Sequence, residues 1–111
     1  MKIFVFGSNL AGRHNNGAAV YARQHHGAIY GQGVGRQGMS YAIPTKDSRL
    51  MTLPLWVIHH YVNDFITYAE THEELTFELT RIGCGLAGYK DLDIAPMFKN
   101  APPNIIKPTG W

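Results

Sequence analysis

One helix and the strand after it restrict the fold more than anything else in the chain. Leu55, Ile58, Val62, Phe65 and Ala69 recur at spacings of three and four. That spacing gathers them into one apolar stripe and predicts the longest helix, over 54–71, with Pro54 suited to its first turn. The period then changes. Leu75, Phe77 and Leu79 alternate with Thr76, Glu78 and Thr80, which places the apolar residues on one face of a strand. A one-faced helix beside a one-faced strand argues for helices packed on a sheet.

The rest of the chain extends that pattern. "KIFVF" at 2–6 is short, apolar, β-branched and aromatic, and is stopped by Gly7, as expected of a buried strand. Asn15 or Asn16 can cap a helix running through "GAAVYARQHH" and stopping near Gly27. "GAIYGQGVGRQG" predicts an irregular loop with a short strand around Ile29. "SYAIPT" predicts another strand, with Pro44 ending its ladder or placing it at an edge. Asp91 or Asp93 can cap a short helix through "IAPMFKN", and "PNIIKP" predicts a last strand. The order is β-α-β-α-β-α-β, an α/β fold, and 111 residues suit a single domain over 1–111.

Composition narrows the function classes. The net charge of +2, with Lys and Arg dispersed along the chain, does not argue for non-specific nucleic-acid binding. No segment approaches the ~20 apolar residues of a membrane span. "MKIFVF" is short for a signal peptide. The single cysteine, Cys84, permits no internal disulfide. A cytoplasmic protein without membrane contact is the expectation. Histidines occur in pairs at 25–26 and 59–60 and singly at 14 and 72. Neighbours on a helix diverge, so neither pair has the i,i+4 geometry of a zinc site, and no metal is expected.

Eleven of the twelve glycines lie in two zones, 7–38 and 83–88. Bare backbone is entropically costly, so its concentration asks for a reason. Ligands of α/β sheets bind outside the carboxyl ends of strands. The loops 7–17 and 83–91 leave such ends and lead toward helix starts, so both can offer backbone N–H groups to an anion. Two such loops facing one another would suit a diphosphate; tight turns are the competing explanation. "GCGLAG" fits G-x-G-x-x-G, but it follows a late strand with too little chain after it for a dinucleotide-binding unit. No G-x-x-x-x-G-K-[ST] loop occurs.

"LTRIGCGLAGYKD" resembles the second phosphate loop of macrodomains, the ADP-ribose-binding fold. It is most similar to the branch containing terminal ADP-ribose protein glycohydrolase and the DNA ADP-ribosyl glycohydrolase antitoxins. "HNNGAAVYARQHHG" resembles the early loop and helix of that branch, and "SYAIPTKD" its strand ending in Thr-Lys. With "FGSNLAGRH" near the start, the chain also resembles small phage-borne macrodomain-like proteins. The resemblance implies a compact three-layer α/β/α fold with a mixed sheet. It implies an ADP-ribose pocket needing no cofactor, and as partners ADP-ribose, a related nucleotide, or ADP-ribosylated protein or DNA. In a phage-borne protein the compartment would be the cytoplasm of the bacterial host.

The same resemblance implies roles for particular residues. Gly7, Ser8 and Asn9 would lie toward the adenine end. Asn15, Asn16, Gly17 and Ala18, with Gly83, Cys84, Gly85, Leu86, Ala87, Gly88 and Tyr89, would hold the diphosphate and distal ribose; His14, by its place in the early loop, is a further candidate ligand contact. Lys46 would act at the anomeric carbon with an acid from the late loop. Here the sequence departs: Ala87 stands where that branch has aspartate, leaving Asp91, four residues on, as the substitute acid. Asn15 stands where a glycine is common.

Each candidate has an ordinary alternative. Lys46 can be a solvated loop lysine, Asp91 a helix cap, Cys84 a small filler behind its loop, and Tyr89 a packing lid. Arg13 and Arg36, in glycine loops, can meet phosphate or stay exposed. Three functions therefore stand at this point. They are an ADP-ribosyl glycohydrolase, a catalytically silent binder or sponge of a nucleotide-derived signal, and a structural or interaction protein with a vestigial pocket.

Overall fold

The computed structural model describes residues Met1–Trp111. In chain order it contains β1 (Lys2–Asn9), α1 (Gly17–His25), β2 (Gly35–Gln37), β3 (Ser40–Lys46), α2 (Leu55–Glu70), β4 (Thr76–Leu79), α3 (Asp91–Ile94), a 3₁₀ turn (Ala95–Phe98) and β5 (Ile105–Ile106). The strands form one mixed sheet in the order β2-β3-β1-β4-β5. β1 pairs in parallel with β3 and β4, and β4 with β5, while β2 runs antiparallel to β3. The chain is thus an α/β protein.

β1 sits centrally, and its residues divide between two cores. Ile3 and Val5 join Tyr41, Ile43, Phe77 and Leu79 in a large cluster with Ile58, Val62, Phe65 and Ala69 of α2. Phe4 and Phe6 join Ala42 in a smaller cluster with Ala19 and Ala22 of α1. A parallel strand buried on both faces has no polar side to show, hence its unbroken apolar run. The small residues of α1 let that helix approach closely.

The expected α2 stripe is observed. Ile58, Val62, Phe65 and Ala69 are buried and Leu55 lies at the margin. Pro54 is the N-cap rather than the first helical residue, with ψ at 152°. Leu75, Phe77 and Leu79 are buried, as their alternation requires.

Two local expectations are corrected. No strand forms around Ile29; the extra strand is β2, which turns tightly at Gly38 (φ 56°) to pair with Ser40–Ala42. Pro44 does not end β3, which runs on to Lys46. β2 reaches only as far as Ala42, so beyond it β3 needs no donor on that side and accepts a proline. The register between β1 and β3 shifts just after Ser8 opposite Pro44.

Candidate functional site

β1, β3 and β4 are mutually parallel, so their carboxyl ends open on one side of the sheet. The segments leaving them meet there around a cleft of about 320 Å³. From β1 come Gly7, Ser8, Asn9 and Arg13, followed by Asn15 to Ala19 at the start of α1. From β3 come Thr45, Lys46 and Leu50, and from β4 Thr80 to Gly83 with Gly85, Leu86 and Ala87. The two glycine loops touch: a Cβ added to Gly7 would lie 3.6 Å from the amide nitrogen of Gly83.

The backbone around the cleft is rich in uncommitted donors. The amides of Gly83, Gly85, Leu86 and Ala87 donate to no backbone carbonyl, whereas those of Cys84, Gly88 and Tyr89 close turns onto Arg81, Gly85 and Gly83. At the start of α1, Gly17, Ala18 and Ala19 have no carbonyl one turn earlier. Asn16 adopts an extended N-cap conformation, but its side chain makes no capping bond. The helix therefore brings free N–H groups and the positive end of its dipole to the cleft. Arg13, Lys46 and Arg81 line the same cleft, and no carboxylate does. Lys46 and Arg13 form no ion pair.

Several polar side chains at this mouth serve the scaffold. The Ser8 hydroxyl donates to the Gly33 carbonyl and is buried. Asn9 accepts from the Arg13 amide at 2.9 Å and donates to the Arg13 carbonyl at 3.0 Å, which fixes the loop bearing Arg13. Thr45 donates to the Ser8 carbonyl, and Thr80 to that of Val5, at 2.7 Å.

Of the residues expected at the site, Gly7, Ser8, Asn9, Asn15, Asn16, Gly17, Ala18, Lys46, Gly83, Gly85, Leu86 and Ala87 line the cleft together. Five do not: His14, Cys84, Gly88, Tyr89 and Asp91. His14 is fully buried, its ring edge-on to Phe6 and its Nε2 2.9 Å from the Gln32 carbonyl. It is a core residue under the early loop rather than a ligand contact. Tyr89 turns inward and donates its hydroxyl to the Leu53 carbonyl at 2.7 Å. Gly88 supplies a turn at φ 90°.

Cys84 packs against the large core, and its thiol donates to the Ile82 carbonyl at 3.4 Å. Burial, with the neighbouring Asp91 carboxylate, pushes its pKa up to about 11. The thiolate is the reactive form. Native protein should therefore resist iodoacetamide at pH 8 and react once unfolded, as mass spectrometry would register. The fold favours the neutral thiol, so this contribution to stability is complete below about pH 9, the ordinary thiol value, and lost toward pH 11.

Asp91 lies outside the cleft, at the start of α3. Trp111 and the Arg81 guanidinium hold its carboxyl below the ordinary range. The indole Nε1 of Trp111 is buried and meets no acceptor in full hydrogen-bond geometry. Asp91 pairs with Arg81, which also donates to the Thr109 carbonyl and lies 5.9 Å above the Trp111 ring. The carboxylate thus anchors an arginine beside the cleft instead of opposing Lys46. The helix-capping role falls to Asp93, which accepts from the Lys90 amide at 3.0 Å.

Arg81 and Thr80 were not among the expected site residues. Their signal was present: both immediately precede the late glycine loop, at the carboxyl end of β4. Arg13 was foreseen only as a loop arginine that can meet phosphate.

No protein-family model matches the chain, and no curated protein or solved structure does.

Proposed function

We propose that the chain binds a nucleotide diphosphate of the ADP-ribose class in this cleft and holds it without cleaving it. The observation that carries the reading is the convergence of two glycine loops, about seventy-five residues apart in sequence, whose free amides share one mouth with two unpaired cations, Arg13 and Lys46, and no carboxylate. Such a mouth discriminates by charge: anions gain hydrogen bonds and Coulomb attraction, and cations gain neither. A ligand bearing a diphosphate also suits a cleft at the carboxyl ends of parallel strands.

The resemblance to macrodomains is consistent with this arrangement. Cores on both faces of a mixed sheet, one beneath α1 and one beneath α2, support a three-layer α/β/α reading of that kind. Binding is favoured over hydrolysis by the chemistry of the mouth. Ala87 brings no carboxylate, and Asp91, which does not line the cleft, is engaged with Arg81. General acid assistance to a departing group needs a proton donor within hydrogen-bond reach.

One observation favours a glycohydrolase as the second reading. Lys46, at the end of β3, lines the cleft and has no carboxylate partner. In this reading it would act at the anomeric carbon of a sugar whose diphosphate rests on the loops.

Calorimetry with ADP-ribose tests the first reading. Saturation at a hundred times the dissociation constant should stabilise the fold by ~2.7 kcal/mol, raising Tm by roughly 10 °C. Absence of both heat and shift would leave the structural or interaction protein. Incubation with ADP-ribosylated protein and DNA separates the other two. Unchanged substrate supports the binder, whereas release of ADP-ribose that disappears in Lys46→Ala supports the hydrolase.

A further inference from the structure

Leu50 is the only residue other than glycine with a positive φ, at 65°. A branched side chain is disfavoured in that left-handed region, where glycine or asparagine would sit without strain. The turn holding it is closed from several directions. The Asp47 amide donates to the Met51 carbonyl at 2.7 Å, and the Leu50 amide to the Asp47 carbonyl at 3.1 Å. The Asp47 carboxylate accepts from the amides of Arg49 and Met51 at 2.8 and 3.0 Å. Nothing in this network involves the leucine side chain, which is 40% exposed and lines the cleft.

A second leucine accompanies it. Leu86 follows Gly85 in the late loop, is 73% exposed and lines the same cleft. The two segments are tied together, because the Thr52 hydroxyl donates to the Ala87 carbonyl at 2.9 Å. Thr52 in turn bridges to Lys46. The large, exposed apolar side chains of this mouth therefore come from two joined segments beside Lys46. Backbone strain at a position whose side chain the turn's hydrogen bonds do not use points to function.

We infer that Leu50 and Leu86 are specificity-determining residues. They form an apolar rim that packs on the face of a ring carried by the diphosphate ligand, so that the cleft prefers a ring-bearing diphosphate to a bare one. The inference rests on the anion-binding reading of the same cleft and adds which side chains recognise what the anion carries. Sugar and base rings present flat apolar faces that leucines can cover, whereas inorganic pyrophosphate presents only oxygen.

The experiment compares wild type, Leu50→Gly and Leu86→Ser by calorimetry with inorganic pyrophosphate and with ADP-ribose, alongside their melting temperatures. Each variant should lose about tenfold in ADP-ribose affinity, the scale of one apolar contact, and keep its pyrophosphate affinity. Leu50→Gly should melt no lower than wild type, since glycine accepts this φ. Equal loss of both ligands, or unchanged ADP-ribose affinity in both variants, would overturn the inference. So would a clearly lower melting temperature in Leu50→Gly, which would assign the leucine to the fold. If wild type binds neither probe, it is the anion site itself that fails, a result distinct from those three.

Discussion

Gly85→Glu is expected to abolish ADP-ribose binding while leaving the melting temperature where it is. Gly85 lines the cleft, its φ is not in the left-handed region, and an added Cβ meets nothing within 4 Å. The fold therefore has room for a side chain there. What changes is the charge of a mouth that otherwise has no carboxylate. Two unit charges about 4 Å apart repel by ~4 kcal/mol at the effective dielectric of a protein surface. That corresponds to roughly a thousandfold in affinity. Gly85→Ala provides the control, since it adds bulk without charge and should cost far less. If the glutamate variant binds ADP-ribose as wild type does, the anion does not rest on this loop. A parallel fall in melting temperature would mean instead that Gly85 serves the fold.

That prediction depends on features that differ in how far the sequence exposes them. The α2 stripe and the alternation of Leu75, Phe77 and Leu79 are legible because burial on one side imposes a period. β1 is legible because burial on both sides leaves only apolar residues. The meeting of the loops follows from strand order, since each glycine loop leaves the carboxyl end of a strand. β2 leaves no such trace. Gly35, Arg36 and Gln37 carry no apolar pattern, and the strand exists through its pairing with Ser40–Ala42. Asp91 could not be placed locally either, because its partners Arg81 and Trp111 lie ten and twenty residues away in sequence. His14 reads as a polar loop residue until Gln32 and Gln37 are seen to enclose its ring. Leu50 carries no signal at all: a left-handed leucine is a property of the folded turn.

The glycines themselves divide in a way that composition hides, and Gly12→Ala is expected to show it. Gly12 has φ 70°, and its added Cβ would lie 2.2 Å from the carbonyl carbon of Gly31 and 2.6 Å from the Gln32 amide nitrogen. These are backbone atoms that no rotamer change can move aside. The loops are also bonded at this point, the Gly31 amide donating to the Gly12 carbonyl at 2.8 Å. Beside it, a Cβ on Gly33 would stand 2.2 Å from the Asn9 carbonyl oxygen. The segment 27–38 is therefore glycine-rich in part because it lies flat against the turn after β1, and in this way it supports the loop carrying Arg13. Separating the two backbones should cost about 3–5 kcal/mol, in the range of severe core substitutions. The melting temperature should fall by roughly 12–20 °C. Gly17→Ala isolates the conformational part, for Gly17 also has a positive φ, 54°, but open space around its Cβ position. It should cost only about 1–2 kcal/mol. Thermal melts of the two variants side by side decide the matter. Equal losses would mean that left-handed geometry alone accounts for Gly12, and the close approach of the two loops would then contribute nothing to holding the mouth of the cleft.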